Sequence, residues 1–307
     1  MQDQTKRNTH QYKEITLPRL VKIKWILIRL TLSVWLLVQL SCQGYPQADT
    51  SASLVYNQQG KGDTTLLFVH GWGINSRYWD AQIAHFQNRY TVIAVDLAGH
   101  GYSEALSTEM TIEQYATDLV QLVESLDLRD IILVGHSMAG NINLRAYQKF
   151  PERIIGFIGV DNFQVIGFEP PPQEQGEIKL FFDKMKQNYL KTAVEFANGM
   201  LFSDFTSNEH KARVIQDILH VDSVLAVSTL ASLAQEYAVE MELLQKLKVP
   251  LELIVSEGSL LDESSHKALC KAGFQYWTYS HAGHYPMIEI PETFNKLLQL
   301  AITRSNR

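Results

Sequence analysis

The chain of 307 residues is long enough for one large domain with an insertion or for two small domains. Its 46% apolar and 20% charged residues are typical of a globular protein and exclude a disordered or collagen-like chain. With a net charge of −6, no basic field dominates, so we do not expect a nucleic-acid partner.

Residues 1–52 differ in composition from the rest of the chain and predict an export signal followed by a linker. Basic residues dominate residues 1–24, and an apolar segment follows over residues 25–40, interrupted once by Arg29. A basic region, an apolar region and then small residues are typical of a bacterial export signal. An amphipathic helix of the folded domain is the alternative, but the apolar segment suits a bilayer better. We therefore expect a membrane-associated protein of a bacterial cell envelope.

Cys42 follows Leu40 and Ser41 in a short string that resembles the lipobox of bacterial lipoproteins. In those proteins the cysteine carries a lipid after cleavage of the signal, so the resemblance implies lipidation of Cys42. An uncleaved signal anchor and an ordinary cleaved signal are the alternatives. The other cysteine, Cys270, is expected to be a small buried apolar residue without a disulfide partner.

Apolar runs and helical segments alternate from residue 53 to residue 162 and predict a mostly parallel sheet. The apolar runs are short and continuous, as in strands that are buried on both faces. The helical segments have the length of right-handed crossover connections, and Thr111 is the expected N-cap of one of them. The predicted strands are residues 54–56, 65–69, 90–95, 131–134 and 154–160, and the predicted helices are residues 78–86, 111–126 and 138–150.

The alternation stops over residues 163–248, which we interpret as an inserted helical lid. The segment starts with a proline cluster, shows no strong strand signal afterwards, and is too long for a plain connection. Residues 53–162 and 249–307 form the predicted core. Within its second part, the predicted strands are residues 251–255 and 274–279, and the last helix is residues 291–302. The aromatic residues of the lid either line an acyl pocket or pack the lid onto the core; they include Phe181, Phe182, Phe196, Phe202 and Phe205.

A Gly-x-Ser-x-small motif lies between the predicted strand 131–134 and the helix that follows it. Residues 135–140 read GHSMAG, with Ala139 in place of the second glycine. Where a strand turns sharply into a helix, the central serine is forced into a strained conformation with its hydroxyl exposed. The small residues on either side let the strand and the helix approach each other. The motif therefore predicts Ser137 as a nucleophile.

The loop after the second predicted strand reads HGWG and is the expected source of a hydrogen-bond donor for an oxyanion. Acyl transfer needs a second backbone N–H besides that of the residue after the nucleophile. Gly71 and Gly73 allow this loop to approach closely, so the N–H groups of Trp72 and Met138 are predicted to form the oxyanion hole. His70 is expected to be a structural hydrogen-bonding residue of the loop.

Two further motifs contain histidines with different expected roles. Asp96 and His100 belong to the string DLAGHGYS and are interpreted as parts of a structural loop, not as metal ligands. Late in the chain, the string SHAGHYPM supplies His281 and His284. Because Gly283 permits the tight loop that would carry an imidazole back to the serine, His284 is the predicted general base.

In order along the chain, the strings HGWG, DLAGHGYS, GHSMAG and AGH resemble the pattern of the α/β-hydrolase fold superfamily, in the branch with a helical lid. The resemblance covers roughly residues 54–303, without the lid sequence. The first two strings look most like carboxylesterases of the pimeloyl-ACP methyl ester esterase type. Haloalkane dehalogenases and epoxide hydrolases of this fold use aspartate at the elbow, so Ser137 argues against both. The resemblance implies serine hydrolysis without a metal or an organic cofactor.

The carboxylate partner of His284 has three candidates in the sequence. The family usually places its aspartate after the strand that follows the lid, where this chain has Ser259. Some similar esterases instead place the acid after the strand that follows the elbow helix, and Asp161 occupies that position. Asp262 and Glu257 lie near the usual place and are the alternatives. We expect Asp161 to complete the triad.

The predicted function is hydrolysis of a small or medium acyl ester through a Ser-His-acid triad and an acyl-enzyme intermediate. The expected partner is a small-molecule ester substrate. A lipase or lysophospholipase is an alternative that the predicted membrane association suggests, and a thioesterase would use the same triad. Because the acid is displaced, a non-catalytic ligand-binding relative of the fold is the alternative from another class.

Overall fold

A seven-stranded sheet forms the centre of the protein in the computed structural model, which describes residues 54–166 and 171–305. The strands are β1 (Tyr56–Gln59), β2 (Thr65–Val69), β3 (Thr91–Val95), β4 (Ile131–His136), β5 (Ile154–Val160), β6 (Leu251–Ser256) and β7 (Phe274–Tyr279). Their order in the sheet is β1-β3-β2-β4-β5-β6-β7. Only β1 is antiparallel to its neighbour. This mostly parallel sheet confirms the predicted α/β class.

Continuous apolar sequence explains why β2 and β4 lie at the centre of the sheet. Every residue of these two strands is buried, as expected where helices cover both faces. By contrast, all four residues of β1 are exposed, and this strand pairs only with β3 at one edge. The predicted strand 54–56 is therefore misplaced: pairing with β3, not the apolar pattern, sets the edge strand over Tyr56–Gln59.

Helices cover the sheet, and their ends follow local capping signals. The helices are α1 (Asp80–Phe86), α2 (Ile112–Ser125), α3 (Ala139–Tyr147), α4 (Pro172–Gln187), α5 (Tyr189–Phe196), α6 (Asn208–His220), α7 (Ser223–Leu233), α8 (Tyr237–Leu244), α9 (Glu263–Leu269), α10 (Pro286–Glu289) and α11 (Pro291–Ser305). Thr111 caps α2 as predicted, in a reciprocal capping box with Gln114. The helix predicted over residues 138–150 ends earlier, at Tyr147, and a 3₁₀ turn (Pro151–Arg153) precedes β5.

Within the described residues, five α-helices, α4 to α8, lie between β5 and β6, and we term them the inserted helices. A short π-helix (Ala197–Leu201) follows α5 in the same insertion. Helix α7 contacts α2 and α4, and α8 contacts α3, so the inserted helices rest on the helices beside the elbow. Phe182 and Phe202 are buried, and Phe181 and Phe196 pack against the core. Phe205 is 61% exposed, so neither of the two roles expected for the lid aromatics applies to it.

No single helix of the described ranges has the length and apolar character to cross a bilayer, whereas α6 and α7 pass that test only as a pair bent by 101°. The predicted export signal and Cys42 lie in residues 1–53, outside the described residues. Cys270 is buried, as the sequence predicts, and its burial raises the pKa of the thiol to about 11.

Candidate active site

Ser137 occupies a sharp turn between β4 and α3, with a backbone φ of 53°. This left-handed conformation is uncommon for a residue with a side chain and marks a strained turn. A Cβ atom on Gly135 would lie 2.8 Å from the carbonyl oxygen of Ala139, so a larger residue would force the strand and the helix apart. The Ser137 N–H donates to the Val160 carbonyl oxygen of β5 at 2.9 Å. This geometry is that of a nucleophile elbow.

Asn162, in the loop after β5, holds the elbow from a second side. Its Nδ2 donates to the carbonyl oxygens of Gly135 at 2.8 Å and of Ser137 at 3.2 Å. The amide therefore fixes both arms of the strained turn. Sequence reasoning missed this residue, because only its position beside Asp161 pointed to the site.

The HGWG loop after β2 passes close to the elbow. A Cβ atom on Gly71 would lie 2.7 Å from His136 Nδ1 and 3.1 Å from Ser137 Cβ, so the close approach requires glycine. The Trp72 indole N–H donates to a backbone carbonyl of α7 at 2.9 Å, which fixes the loop. Among the hydrogen bonds of residues 54–166 and 171–305, none is donated by the backbone N–H of Trp72 or Met138. Both N–H groups are therefore free to bind an oxyanion.

His284 and Asp161 form a hydrogen-bonded pair. The Nδ1 atom of His284 donates to Asp161 Oδ2, and the two side chains are only 17% and 11% exposed. Gln164 Nε2 donates to the other carboxylate oxygen at 2.5 Å. Because the proton on Nδ1 faces the carboxylate, Nε2 of His284 is the hydrogen-bond acceptor, which is the tautomer that a general base requires. Of the three candidate acids, the structure brings Asp161 to His284.

The two alternative acids have other surroundings. Asp262 caps α9, and hydrogen bonds from Ser264 and Ser265 lower the pKa of its carboxyl to about 2. Glu257 is exposed in the loop after β6. His281, the alternative base, is exposed as well, with Nδ1 3.0 Å from the hydroxyl of the preceding serine. Within the described residues, neither alternative acid bonds to an imidazole ring of the site.

The loop that carries His284 is held by the carboxylate of Glu289. One oxygen of this carboxylate accepts the N–H of Gly283 at 2.9 Å and the hydroxyl of Thr206 at 2.7 Å. The other oxygen accepts the N–H of Tyr285 at 3.1 Å. Glu289 therefore binds the residues on both sides of His284 and connects them to the loop that precedes α6. Its spacing of five residues after His284 is the only signal in the sequence, and sequence reasoning missed it.

His136 stands directly before Ser137 and lies against the ring of His284, with 4.6 Å between the ring centroids. Its Nε2 donates to the His284 carbonyl oxygen at 2.8 Å. Burial, reinforced by the neighbouring His284, holds the pKa of His136 well below its usual value. His136 is therefore neutral, so an imidazolium that forms on His284 meets no second cation at this position.

His70, His100 and Asp96 stabilise the loops beside the elbow. His70 Nε2 accepts the Leu97 N–H at 3.0 Å, and Asp96 Oδ2 accepts the Tyr102 N–H at 2.9 Å. Burial lowers the pKa of His70 to about 4 and that of His100 to about 3, so both rings are neutral. Among residues 54–166 and 171–305, no cluster of His, Cys, Asp or Glu side chains is arranged to hold a metal ion.

One cavity of about 550 Å³ connects the predicted site residues. Ser137, Asp161 and His284 line it together with Trp72 and Met138. The wall formed by the insertion between β5 and β6 is largely apolar and includes Phe181, Phe182, Phe196, Met200, Leu201, Phe202, Leu230 and Leu233. Both the volume and the lining are typical of a site for a small organic molecule.

Replacing Glu289 with glutamine is expected to lower kcat for ester hydrolysis roughly 10- to 100-fold, with KM changed less than about threefold. The amide places a donor where the carboxylate accepts the N–H of Gly283 or Tyr285, so the loop of His284 shifts. Steady-state kinetics, with the active fraction titrated by a covalent inhibitor, measures the effect.

The matched control is Glu292→Gln, because Glu292 is exposed on α11. Its kinetics should equal those of the unaltered protein. A Glu289→Gln variant that keeps its kcat would exclude a positioning role for Glu289.

Comparisons with known proteins identify the family to which this chain belongs. A family model described as alpha/beta hydrolase fold matches residues 64–291, which is most of the chain. The non-heme chloroperoxidase of Burkholderia pyrrocinia is 38% identical over 98 residues, 31% of this chain and 35% of that protein. The chain spans about a third of the length of several curated relatives that it matches.

Solved structures show the same fold over most of the chain. An esterase of Thermogutta terrifontis has a TM-score of 0.70 at 22% identity, over 83% of this chain and 94% of that one. A bromoperoxidase of Bacillus anthracis has a TM-score of 0.71 at 19% identity, over 81% and 95% of the two chains. At these identities the likeness shows the fold alone. Together with the family match over residues 64–291, it shows that this chain belongs to the α/β-hydrolase fold family.

Proposed function

We propose that this protein is a serine carboxylesterase that hydrolyses small or medium acyl esters. The observation that carries the proposal is the presence of a strained Ser137 and the His284–Asp161 pair on one cavity. A nucleophile, a base oriented by a carboxylate and two backbone N–H donors are the groups that acyl transfer requires.

In the first half of the proposed cycle, Ser137 Oγ attacks the ester carbonyl carbon while His284 Nε2 takes the hydroxyl proton. Asp161 holds the imidazole tautomer and stabilises the imidazolium. The N–H groups of Trp72 and Met138 bind the oxyanion, and each such donor stabilises the transition state by about 3 kcal/mol. The carbonyl then re-forms, the bond to the alcohol oxygen breaks, and His284 protonates the departing alcohol.

The second half of the cycle releases the acid. A water molecule attacks the acyl group on Ser137 and gives a proton to His284 Nε2. When the second tetrahedral intermediate collapses, the bond to Ser137 Oγ breaks and His284 returns the proton to this oxygen. The cycle consumes one ester and one water, produces one alcohol and one acid, and restores both side chains.

A lipase or lysophospholipase activity is the second candidate. Exposed apolar side chains on the inserted helices favour it, namely Leu180, Leu190 and Val224. The predicted membrane association of the N-terminus points to the same substrates. Turnover of p-nitrophenyl esters from acetate to palmitate separates the candidates, since an esterase prefers short chains and a lipase prefers long chains. A thioester series tests the thioesterase alternative on the same variants.

A fluorophosphonate probe tests the serine hydrolase function directly, without knowledge of the natural substrate. In the folded protein we expect one adduct, on Ser137, together with loss of p-nitrophenyl acetate turnover. Peptide mass spectrometry locates the adduct. If the folded protein forms no adduct and turns over no ester, the esterase proposal is wrong and the non-catalytic ligand-binding alternative replaces it.

We also propose that the chain is exported and tethered to a bacterial membrane through a lipid on Cys42. The unaltered protein is then expected to incorporate a labelled fatty acid in growing cells, and Cys42→Ala is expected to incorporate none, because the thiol is where the lipid is attached. Immunoprecipitation and autoradiography measure the label, and Cys270→Ala is the control. A membrane-bound protein without label at Cys42 would instead support an uncleaved signal anchor.

A further inference from the structure

A polar pair lines the cavity one helical turn beyond the elbow. Asn141 lies on α3, four residues after Ser137 in the sequence. Its Nδ2 donates to Glu240 Oε2 on α8 at 3.1 Å, and both residues line the cavity. A carboxyl group therefore faces the same space as the proposed nucleophile.

The carboxyl of Glu240 has no counter-ion among the residues that the structure describes. The cation of the neighbouring helical turn, Arg145, donates to both oxygens of Glu236 at 2.6 and 3.0 Å and also to Glu113. Within the described ranges, the Glu240 side chain accepts one hydrogen bond, and its donor is the neutral amide of Asn141.

Burial raises the pKa of the Glu240 carboxyl to about 8, with a further contribution from the charge of Glu236 and an opposing one from the Asn141 hydrogen bond. An acid that is desolvated at this cost next to a site cavity points to a ligand, because an apolar residue would fill the same place without the cost.

The rest of the cavity lining is suited to a positive charge. It contains the acids Asp161, Glu240 and Glu257 and no lysine or arginine. Aromatic rings form one wall: Phe181 packs against Phe182 and Phe196 with centroid distances of 5.3 and 5.6 Å. Aromatic faces attract cations, and the lining has no lysine or arginine side chain to pair with an anionic group of a ligand.

We propose that Asn141 and Glu240 form a subsite for an ammonium group, so that the substrate is an ester with a protonated amine in its acyl or alcohol part. This inference rests on the proposed esterase function, whose site it shares. The ammonium favours the ionised form of Glu240, so this acid releases its proton to solvent on binding, and the ammonium donates hydrogen bonds to the resulting carboxylate and to the Asn141 amide oxygen. Esters that carry a carboxylate are disfavoured, because the lining has no lysine or arginine to pair with it.

Competitive inhibition of p-nitrophenyl acetate turnover tests the subsite without knowledge of which part of the substrate carries the amine. The probes are hexylamine, which is protonated to hexylammonium at neutral pH, the neutral 1-hexanol and the anionic hexanoate. All three share one chain length and differ in charge. For the unaltered protein we expect an inhibition constant for hexylammonium at least about tenfold below that for hexanol, and the weakest inhibition by hexanoate. In Glu240→Gln, the constant for hexylammonium should rise about tenfold and that for hexanol less than about threefold.

Glu257→Gln is the matched control, because Glu257 also lines the cavity but is exposed in the loop after β6. It should keep the preference for hexylammonium. If hexanol or hexanoate inhibits the unaltered protein as strongly as hexylammonium, the ammonium subsite is wrong while the esterase function stands. If Glu240→Gln fails to fold, the order of the three inhibition constants in the unaltered protein decides whether the cavity has an ammonium subsite.

The absence of both ester turnover and a fluorophosphonate adduct would overturn the proposed esterase function. This result would not by itself contradict the ammonium subsite. Calorimetric titration with hexylammonium and hexanol then tests the subsite by direct binding, with the same expected order. Equal affinities in that titration would also contradict the subsite.

Discussion

The Ser137→Ala variant is expected to lose at least about 10³-fold in kcat for p-nitrophenyl acetate. The substitution removes the oxygen that forms the acyl-enzyme, and no neighbouring group in the cavity replaces it. In a well-studied protease with the same constellation, loss of the nucleophile costs roughly 10⁶ in kcat. Because the backbone φ of 53° suits alanine no worse than serine, the free energy of unfolding should change little.

Stopped-flow and steady-state turnover measure the loss, and thermal unfolding checks the fold. Ser259→Ala is the matched control, since Ser259 lines the same cavity in the loop after β6. Its turnover should equal that of the unaltered protein. Substantial burst kinetics or more than a tenth of the activity in Ser137→Ala would exclude this residue as the nucleophile.

The Asp161→Asn variant is expected to lower kcat by about 10²- to 10⁴-fold, with the fold intact. An amide can present an N–H to His284 Nδ1, so the ring turns to the tautomer whose Nε2 carries the proton and cannot accept one. The variant also loses the charge that stabilises the imidazolium. Gln164 still reaches the remaining amide oxygen, which limits the structural damage.

Two neighbouring acids provide controls that also test the alternative assignments. Asp262→Asn should keep near-normal turnover, because asparagine caps a helix about as well as aspartate does. Glu257→Gln should also keep it, since Glu257 is exposed. A Glu257→Gln or Asp262→Asn variant that is inactive, beside an active Asp161→Asn, would reverse the assignment of the acid.

The sequence was sufficient for the elements whose signals are local. Continuous apolar runs predicted β2 to β7 closely, and the small residues around Ser137 predicted the elbow, because strand burial and a tight turn each restrict residues a few positions apart. The edge strand β1 was misplaced, since its position depends on pairing with β3. Helix α9 was not predicted at all, because residues 263–269 carry little apolar periodicity.

The carboxylate partner of His284 could be identified only from the three-dimensional structure. Sequence spacing left Asp161, Asp262 and Glu257 open, because it does not say where the loop of His284 comes to rest. In the sheet, β5 lies directly beside β4, so Asp161 at the end of β5 is next to the strand that carries Ser137. The loop after β6 is one strand further away.

The contacts of Glu289 and Glu240 could not be predicted from the sequence either, because their partners are far away along the chain. Glu240 meets Asn141 across 99 positions of sequence, and Glu289 meets Thr206 across 83. Each acid looks like an ordinary helix residue in its own segment. Only the packing of the inserted helices against the core brings the partners together.

The shared carboxylate of Glu289 limits how the insertion of this protein can be exchanged. Thr206 and the Leu201 carbonyl, which accepts the His284 N–H at 3.0 Å, anchor the first part of the insertion to the loop of the base. A chimaera that exchanges the whole insertion for that of a relative would therefore detach the histidine loop. Exchanges that begin after Thr206 keep this anchor, so new acyl or amine preferences are best grafted onto α6, α7 and α8 alone.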